Sequence, residues 1–318
     1  KIEIDRGVEM KDFKTNCRIA IVQAEPVLFD KQACIEKAVK MIEEASQKEA
    51  DLIVFPELFV PGYPFGMNFG FSVGARTEGG REDYKRYYDA SILADGSEAK
   101  IIGKAAKAAG AFVSIGVSER DPVNGTLYNS NFTFDDKGNL VAVKRKLKPT
   151  GSERNIWGDS HDPDTYLPIV NSPWGPIGCL ICWETYMPLA RVALYEKGIT
   201  IYISANTNDN PEWQDACRHI AREGRLYFIN ADLYFTKSSY PDDLNEKTAV
   251  DELPDIVCRG GSCVVDPYGH YVKKPVWDRE ELIVCDIDMG KVPAAKMEMD
   301  CVGHYARPDV LKLHVNYE

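Results

Sequence analysis

The chain has 318 residues, 44% of them hydrophobic and 27% charged, an ordinary globular composition with enough length to bury a substantial core. Its net charge of −11 argues against a nucleic-acid or anionic-membrane partner, either of which wants a basic face. No apolar run approaches the roughly 20 residues that span a bilayer, and the nine cysteines, scattered without a disulfide-like frame, read as reduced thiols in a cytoplasm.

The start, Lys1 to Lys14, is charged and has no signal-peptide core. Cys17 to Ala24 then reads as a strand. Lys31 to Ala50 follows with Ile35, Ala38, Val39, Ile42 and Ala45 at helical spacing, and Asp51 to Phe55 is a second strand, making a β-α-β unit. A loop rich in glycine and aromatics, Pro61 to Gly80, reads as functional or interface material. Two helices come next, Arg81 to Leu93 and Ser97 to Gly110, and Ala111 to Val117 resumes the sheet. Tyr128 to Phe134 and Leu140 to Lys146 form a hairpin whose turn contains Gly138, free to take positive φ.

Pro176 to Cys182 is an apolar strand that opens on a polar turn, Trp183-Glu184-Thr185, before the helix-like Pro188 to Glu196. Strand Thr200 to Asn206, helix Glu212 to Gly224 and strand Tyr227 to Asp232 continue the alternation. A polar loop, Thr236 to Arg259, precedes strands Gly261 to Asp266 and Glu281 to Ile287, and residues 288–318 read as an irregular C-terminal arm. No composition break marks a linker, so residues 1–318 read as a single α/β domain of mixed sheet with helices outside. So many strands rarely stay in one open sheet, which favours two sheets packed face to face.

An acid, an amine and a thiol stand at three strand ends. Glu57 follows the apolar strand Leu52 to Phe55, Lys146 ends the hairpin, and Cys182 ends the apolar run. These are the parts of an acyl-transfer site, and a thiol between a strand and a helix start is placed where backbone N–H groups and the helix dipole stabilise a thiolate. Each residue alone has a blander reading. Cysteine is most often a small core residue, Glu57 could be a solvated loop acid, Lys146 could belong to a basic edge strand, and Glu153 could be a surface acid. Cys179 and Cys182 form a Cys-x-x-Cys, yet residues three apart in a strand point to opposite faces, which disfavours a redox pair. The five histidines show no metal-ligand spacing, and Gly-x-Ser-x-Gly, Gly-x-Gly-x-x-Gly and P-loop patterns are absent.

Taken in order, three segments resemble the nitrilase superfamily. Phe55-Pro56-Glu57 with Pro61-Gly62-Tyr63-Pro64 is similar to its glutamate motif. Lys144-Arg145-Lys146-Leu147-Lys148-Pro149-Thr150 with Glu153-Arg154 and Trp157-Gly158 is similar to its lysine motif and accessory glutamate. Gly178-Cys179-Leu180-Ile181-Cys182-Trp183-Glu184 is similar to its nucleophile motif. Within the superfamily, Cys182-Trp183-Glu184 resembles nitrilases proper, whereas amidase and carbamoylase branches typically carry an aspartate there. The tail Gly303-His304-Tyr305-Ala306-Arg307-Pro308-Asp309 also resembles the nitrilase branch.

The resemblance implies a four-layer α-β-β-α sandwich of two mixed sheets, a homodimer or larger assembly formed through helices, and no cofactor or metal. It implies a Glu57–Lys146–Cys182 triad assisted by Glu153, acting on a small-molecule nitrile to give acid and ammonia. Tyr63, Trp157 and Trp183 are the expected aromatic lining of the substrate pocket. Alternatives with the same thiol chemistry are an amidase or N-carbamoyl hydrolase, and a nitrile or cyanide hydratase that stops at the amide. A non-catalytic binding module retaining the triad is the alternative from a different class.

Overall fold

Alternating strands and helices wind two sheets, seen in a computed structural model that describes residues 13–208 and 210–317; the charged start over residues 1–12 lies outside them. The first half runs β1 (Asn16–Gln23), α1 (Lys31–Gln47), β2 (Leu52–Val54), α2 (Glu78–Ala90), α3 (Ser97–Ala109), β3 (Phe112–Arg120), β4 (Leu127–Phe134) and β5 (Leu140–Arg145). Asp30 starts α1 by accepting the Ala33 N–H at 3.0 Å, and Cys34, Ile35, Ala38, Ile42 and Ala45 bury one face of the helix. Helix α2 begins at Glu78, ahead of the expected Arg81, because the Thr77 hydroxyl accepts the Gly80 N–H at 3.0 Å and caps it there. At the β4–β5 turn Gly138 takes φ 83°, the left-handed value that the hairpin requires.

The second half runs β6 (Ile169–Ser172), β7 (Gly175–Ile181), α4 (Pro188–Glu196), β8 (Ile201–Asn206), α5 (Trp213–Gly224), β9 (Tyr227–Asp232), β10 (Tyr234–Thr236), α6 (Thr248–Asp251), β11 (Ile256–Val265), β12 (Tyr271–Trp277), β13 (Glu281–Asp288) and α7 (Lys291–Lys296). The polar loop expected over Thr236 to Arg259 thus contains a short helix, and β11 starts at Ile256, inside it. The stretch from Asp288, expected to be irregular, carries α7, held down by buried Val292 and Ala295.

One sheet has the order β13-β1-β2-β3-β4-β5, and the other β10-β11-β9-β8-β7-β6 with β12 paired to β11. Both are mixed: β1-β2-β3 and β7-β8-β9 are parallel, and the flanking pairs are antiparallel. Strand alternation sends successive side chains to opposite faces, which sorts the core into layers. Ile19, Ile21, Leu52 and Val54 of the first sheet meet Ile177, Ile201, Ile203 and Ile229 of the second between the sheets. On the outside, Ala20, Val22 and Ile53 pack under Ile35 and Ile42 of α1 and Ile102 of α3, while Leu180, Tyr202 and Phe228 pack under Leu194 of α4 and Ile220 of α5. The result is the α-β-β-α sandwich. Cys179 faces the inter-sheet core and Cys182 lies past the strand end, so the two thiols do diverge.

Candidate active site

Glu57 is delivered by the segment that leaves β2 and runs alongside β3, hydrogen-bonded to it. Gly116 N–H donates to Pro56 O (3.2 Å), and Val60 N–H donates to Gly116 O (3.2 Å). A Cβ on Gly116 would lie 2.7 Å from Glu57 Cα and closer still to Pro56 O and Leu58 N. Only glycine lets the two backbones approach this closely. Glu57 ends up fully buried.

Lys146 follows β5 and remains paired to β4 through its N–H, which donates to Asn129 O at 2.8 Å. Its Nζ donates to Glu57 Oε1 (2.8 Å) and to both oxygens of Glu153 (3.1 and 2.9 Å). Glu153 is fixed in turn by the Thr150 N–H (2.7 Å) and the Tyr63 hydroxyl (2.8 Å). Glu57 Oε1 also accepts from Asn129 Nδ2 at 2.7 Å, whereas Glu57 Oε2 is buried without a partner. A buried carboxylate oxygen without a partner is costly to keep. The basic-edge reading of Lys144 to Lys148 therefore holds only for Lys148, which is exposed and pairs with Asp159. Lys144 and Lys146 are both buried, the first against Glu184 and the second against Glu57 and Glu153.

Cys182 opens a 3-10 turn, Cys182–Tyr186, with φ 52°, a left-handed backbone that costs a non-glycine residue about 1–2 kcal/mol. Strain of this kind persists where surrounding contacts over-determine it. Burial pushes the thiol well above its ordinary range, and the charges of Glu57 and Glu153 add to this, against Lys146 and a backbone hydrogen bond from Thr207. Of the expected thiolate stabilisers, a backbone hydrogen bond acts in the expected direction, but burial and Glu57 act against it. Helix α4 begins only at Pro188, and burial, with the charges of Glu57 and Glu153, favours the protonated thiol over the thiolate.

The same coupling sets the other charges. Burial raises Glu57, and Glu153 adds to the effect, against Lys146 and Asn129. Burial alone would lower Lys146, but Glu57, Cys182 and Glu153 together raise it, so the ammonium persists. The site thus brings together a carboxyl group of raised proton affinity, an ammonium and a thiol.

Tyr63 and Trp157 come together with ring centroids 6.0 Å apart, and Trp157 donates its indole N–H to Ser118 Oγ at 3.1 Å. Trp183 sits elsewhere: it is 55% exposed and meets Tyr186 edge-on at 6.2 Å. Three residues escape a reading of the sequence. Gly116 and Asn129 have no local motif, since their roles arise from a neighbouring strand. Glu184 stands out in the sequence only as a branch marker, yet its carboxylate is 2.8 Å from Lys144 Nζ. Among the described residues, no cluster of His, Cys, Asp or Glu is arranged to hold a metal ion, and no helix is long and apolar enough to cross a membrane.

The chain belongs to the carbon-nitrogen hydrolase family, whose model matches residues 18–297. It is 43% identical over 304 residues to an aliphatic nitrilase of Sinorhizobium fredii, covering 96% of this chain and 97% of that one. It is 40% identical to nitrilase 2 of Arabidopsis thaliana (95% and 89% covered) and 39% identical to a bifunctional nitrilase/nitrile hydratase of Lupinus angustifolius (94% and 85%). Among solved structures, a branch 10 member of the nitrilase superfamily from Saccharomyces cerevisiae superposes with a TM-score of 0.73 at 18% identity, covering 94% of this chain and 100% of that one. The C. elegans NitFhit protein also gives 0.73, at 20% identity, covering 96% and 68%. At that identity the structural likeness concerns the fold alone.

Proposed function

We propose that the protein is a nitrilase that hydrolyses an organic nitrile to a carboxylic acid and ammonia, with Cys182 as nucleophile, Glu57 as general base, Lys146 as charge stabiliser and Glu153 as the group that holds Lys146. The observation that carries the reading is the buried cluster in which one oxygen of Glu57 is held by Lys146 and the other is free. The choice of nitriles is supported by relatives named as nitrilases at about 40% identity across nearly the whole chain.

A nitrile carbon is a weak electrophile without a leaving group, so attack needs a thiolate formed at the moment of reaction and a cation beside the nitrogen. Glu57 removes the Cys182 proton as sulfur bonds to the nitrile carbon, and that proton passes to the nitrogen, giving a thioimidate. Lys146 offsets the negative charge that develops on nitrogen. One water, deprotonated by Glu57, adds to the thioimidate carbon. The nitrogen takes up protons and leaves as ammonia, and the thioester remains. A second water attacks, the acid departs, and the thiol recovers its proton. The sum is one nitrile and two waters giving one acid and one ammonia.

The substrate would lie beside Tyr63, whose hydroxyl reaches Glu153. If the tetrahedral adduct expels the thiol before ammonia, the product is an amide, an outcome supported by the bifunctional relative. The test is a panel of nitriles and their matching amides, assayed for acid, amide and ammonia. Turnover of the amides alone would sink the nitrile reading and favour an amidase.

We also propose that the chain works as one catalytic domain in a homodimer or larger assembly within the cytoplasm. The exposed apolar side chains Trp183, Tyr186, Met187 and Leu189 support the first, and nine free thiols support the second. Sedimentation of the purified protein reads the assembly directly.

A further inference from the structure

One carboxylate ties the strand end carrying Lys146 to the strand end carrying Cys182. Glu184 Oε2 accepts the N–H of Leu147, the residue after Lys146, at 2.8 Å, and Glu184 Oε1 accepts the N–H of Ile181, the residue before Cys182, at 2.6 Å. These two N–H groups belong to the ends of β5 and β7, which lie in different sheets. Lys144 Nζ reaches the same Oε1 at 2.8 Å and donates to Arg145 O at 2.7 Å. Both side chains are only 2% exposed.

A buried ion pair is weak evidence for stability, because its desolvation offsets much of its attraction. What distinguishes this one is where its oxygens go. Three donors converge on two oxygens, and two of the donors are backbone groups adjacent in sequence to the reacting side chains. Glutamine could not replace it, since an amide offers one acceptor oxygen where two are used. The left-handed backbone of Cys182 is anchored on its N-terminal side by the same contact.

We infer that Glu184, braced by Lys144, is a positioning residue that sets the placement of Lys146 against Cys182; the inference rests on the proposed roles of those two groups. Neither Glu184 nor Lys144 need touch the substrate. Their part is to keep the cation and the nucleophile, which arrive from opposite sheets, at one fixed separation, where small errors in placement are expensive in rate.

The test compares wild type with Glu184→Gln and with the double variant Lys144→Met/Glu184→Gln, which removes the ammonium that the single variant leaves without its carboxylate. Melting temperature, kcat and KM for a nitrile, and the pH profile of Cys182 carbamidomethylation by mass spectrometry are measured in each. The double variant is expected to recover most of the melting temperature lost by the single one. In both, kcat stays about 100-fold down with KM little changed, the loss that follows from displacing a reacting group by about 1 Å. Cys182 alkylation moves to higher pH in the double variant, which leaves no unpaired charge, as the displaced Lys146 ammonium no longer favours the thiolate. Where the glutamine variants do not fold, Glu184→Asp gives the same readouts, keeping the charge against Lys144 while being too short to span both N–H groups. Recovery of kcat together with melting temperature, or a wild-type alkylation profile in the folded double variant or in Glu184→Asp, overturns the assignment. Alkylation needs no turnover, so an enzyme inert toward nitriles would defeat the functional reading and leave this readout standing.

Discussion

Asn129 donates its side-chain amide to the same Glu57 oxygen that Lys146 holds, at 2.7 Å, while its backbone carbonyl accepts the Lys146 N–H at 2.8 Å. One residue of β4 thus sets the distance between the base and the cation and leaves Glu57 Oε2 as the free oxygen. Its amide bond also favours the charged form of Glu57, against burial. Asn129→Leu keeps the shape and removes that donor, so Glu57 should hold its proton more tightly. The acid limb of the kcat/KM profile should move to higher pH, and activity at neutral pH should fall about tenfold or more, as for a lost hydrogen bond to a charged group. A pH–rate profile that keeps its acid limb in place would show that Asn129 does not tune the base.

Glu57→Gln separates activity from stability. Burial raises the carboxyl above its unfolded value, so the folded protein binds this proton more tightly than the unfolded chain does. Its favourable contribution is fully present below about 4.5, where the unfolded chain also carries the proton, and is lost as pH rises through the raised folded value. At neutral pH the wild type therefore keeps a charged group that burial disfavours, and glutamine does not. Glu57→Gln should lose about 10²–10⁴-fold in kcat, the usual worth of a general base, while melting no lower than wild type at neutral pH. The gain in melting temperature should shrink as the pH is lowered. Melting curves across the acid range check this, and a variant that melts well below wild type at neutral pH would mean that pairing with Lys146 outweighs burial.

Gly116→Ala tests the close approach behind Glu57. The added methyl group would meet backbone atoms of Pro56, Glu57 and Leu58, none of which can swing aside as a side chain can. Overpacking of this sort destabilises by about 1–3 kcal/mol. The segment that must move is the one carrying the base, so kcat should fall by about 10²-fold even where the variant is fully folded. Thermal melting and kcat on the same preparation read both effects. Full activity in a folded Gly116→Ala would show that the Glu57 segment tolerates the shift.

Much of this was legible in the sequence because apolar runs and helical spacing report on burial one element at a time. Strands β1, β7 and β8, helix α4 and the Gly138 turn follow from such local signals. Strands β6 and β10 are too short to show a period. Strand β12 carries Lys273, Lys274 and Pro275, residues suited to a strand with one neighbour, and so does not read as sheet. Three motifs in order single out Glu57, Lys146 and Cys182, but the electrostatics of the cluster cannot be read from them. Nothing local in Lys144-Arg145-Lys146 says that two of the three cations are buried, since that depends on Glu57 and Glu184 arriving from distant segments. The electrostatic balance on Cys182 is hidden for the same reason: the strand-to-helix position is visible in the sequence, whereas the two carboxylates that raise the thiol are not.

That balance gives a prediction with an unusual sign. Burial, then Glu57 and Glu153, keep Cys182 protonated, and Lys146 pulls the other way. Glu57→Gln removes one opposing charge and leaves the ammonium, so the thiol should ionise at lower pH in an enzyme that has lost its turnover. Lys146→Met should do the reverse, leaving two carboxylates without their cation, and should also destabilise the fold by about 3–5 kcal/mol, as expected for one partner stripped from a buried pair. Modification of Cys182 by iodoacetamide across the pH range, with the peptide resolved from the less buried Cys285 and Cys301, follows the midpoint in each variant. A midpoint that moves upward in Glu57→Gln would mean that this carboxylate is not near enough to the sulfur to repel its charge, and the assignment of Glu57 as the base would have to be given up.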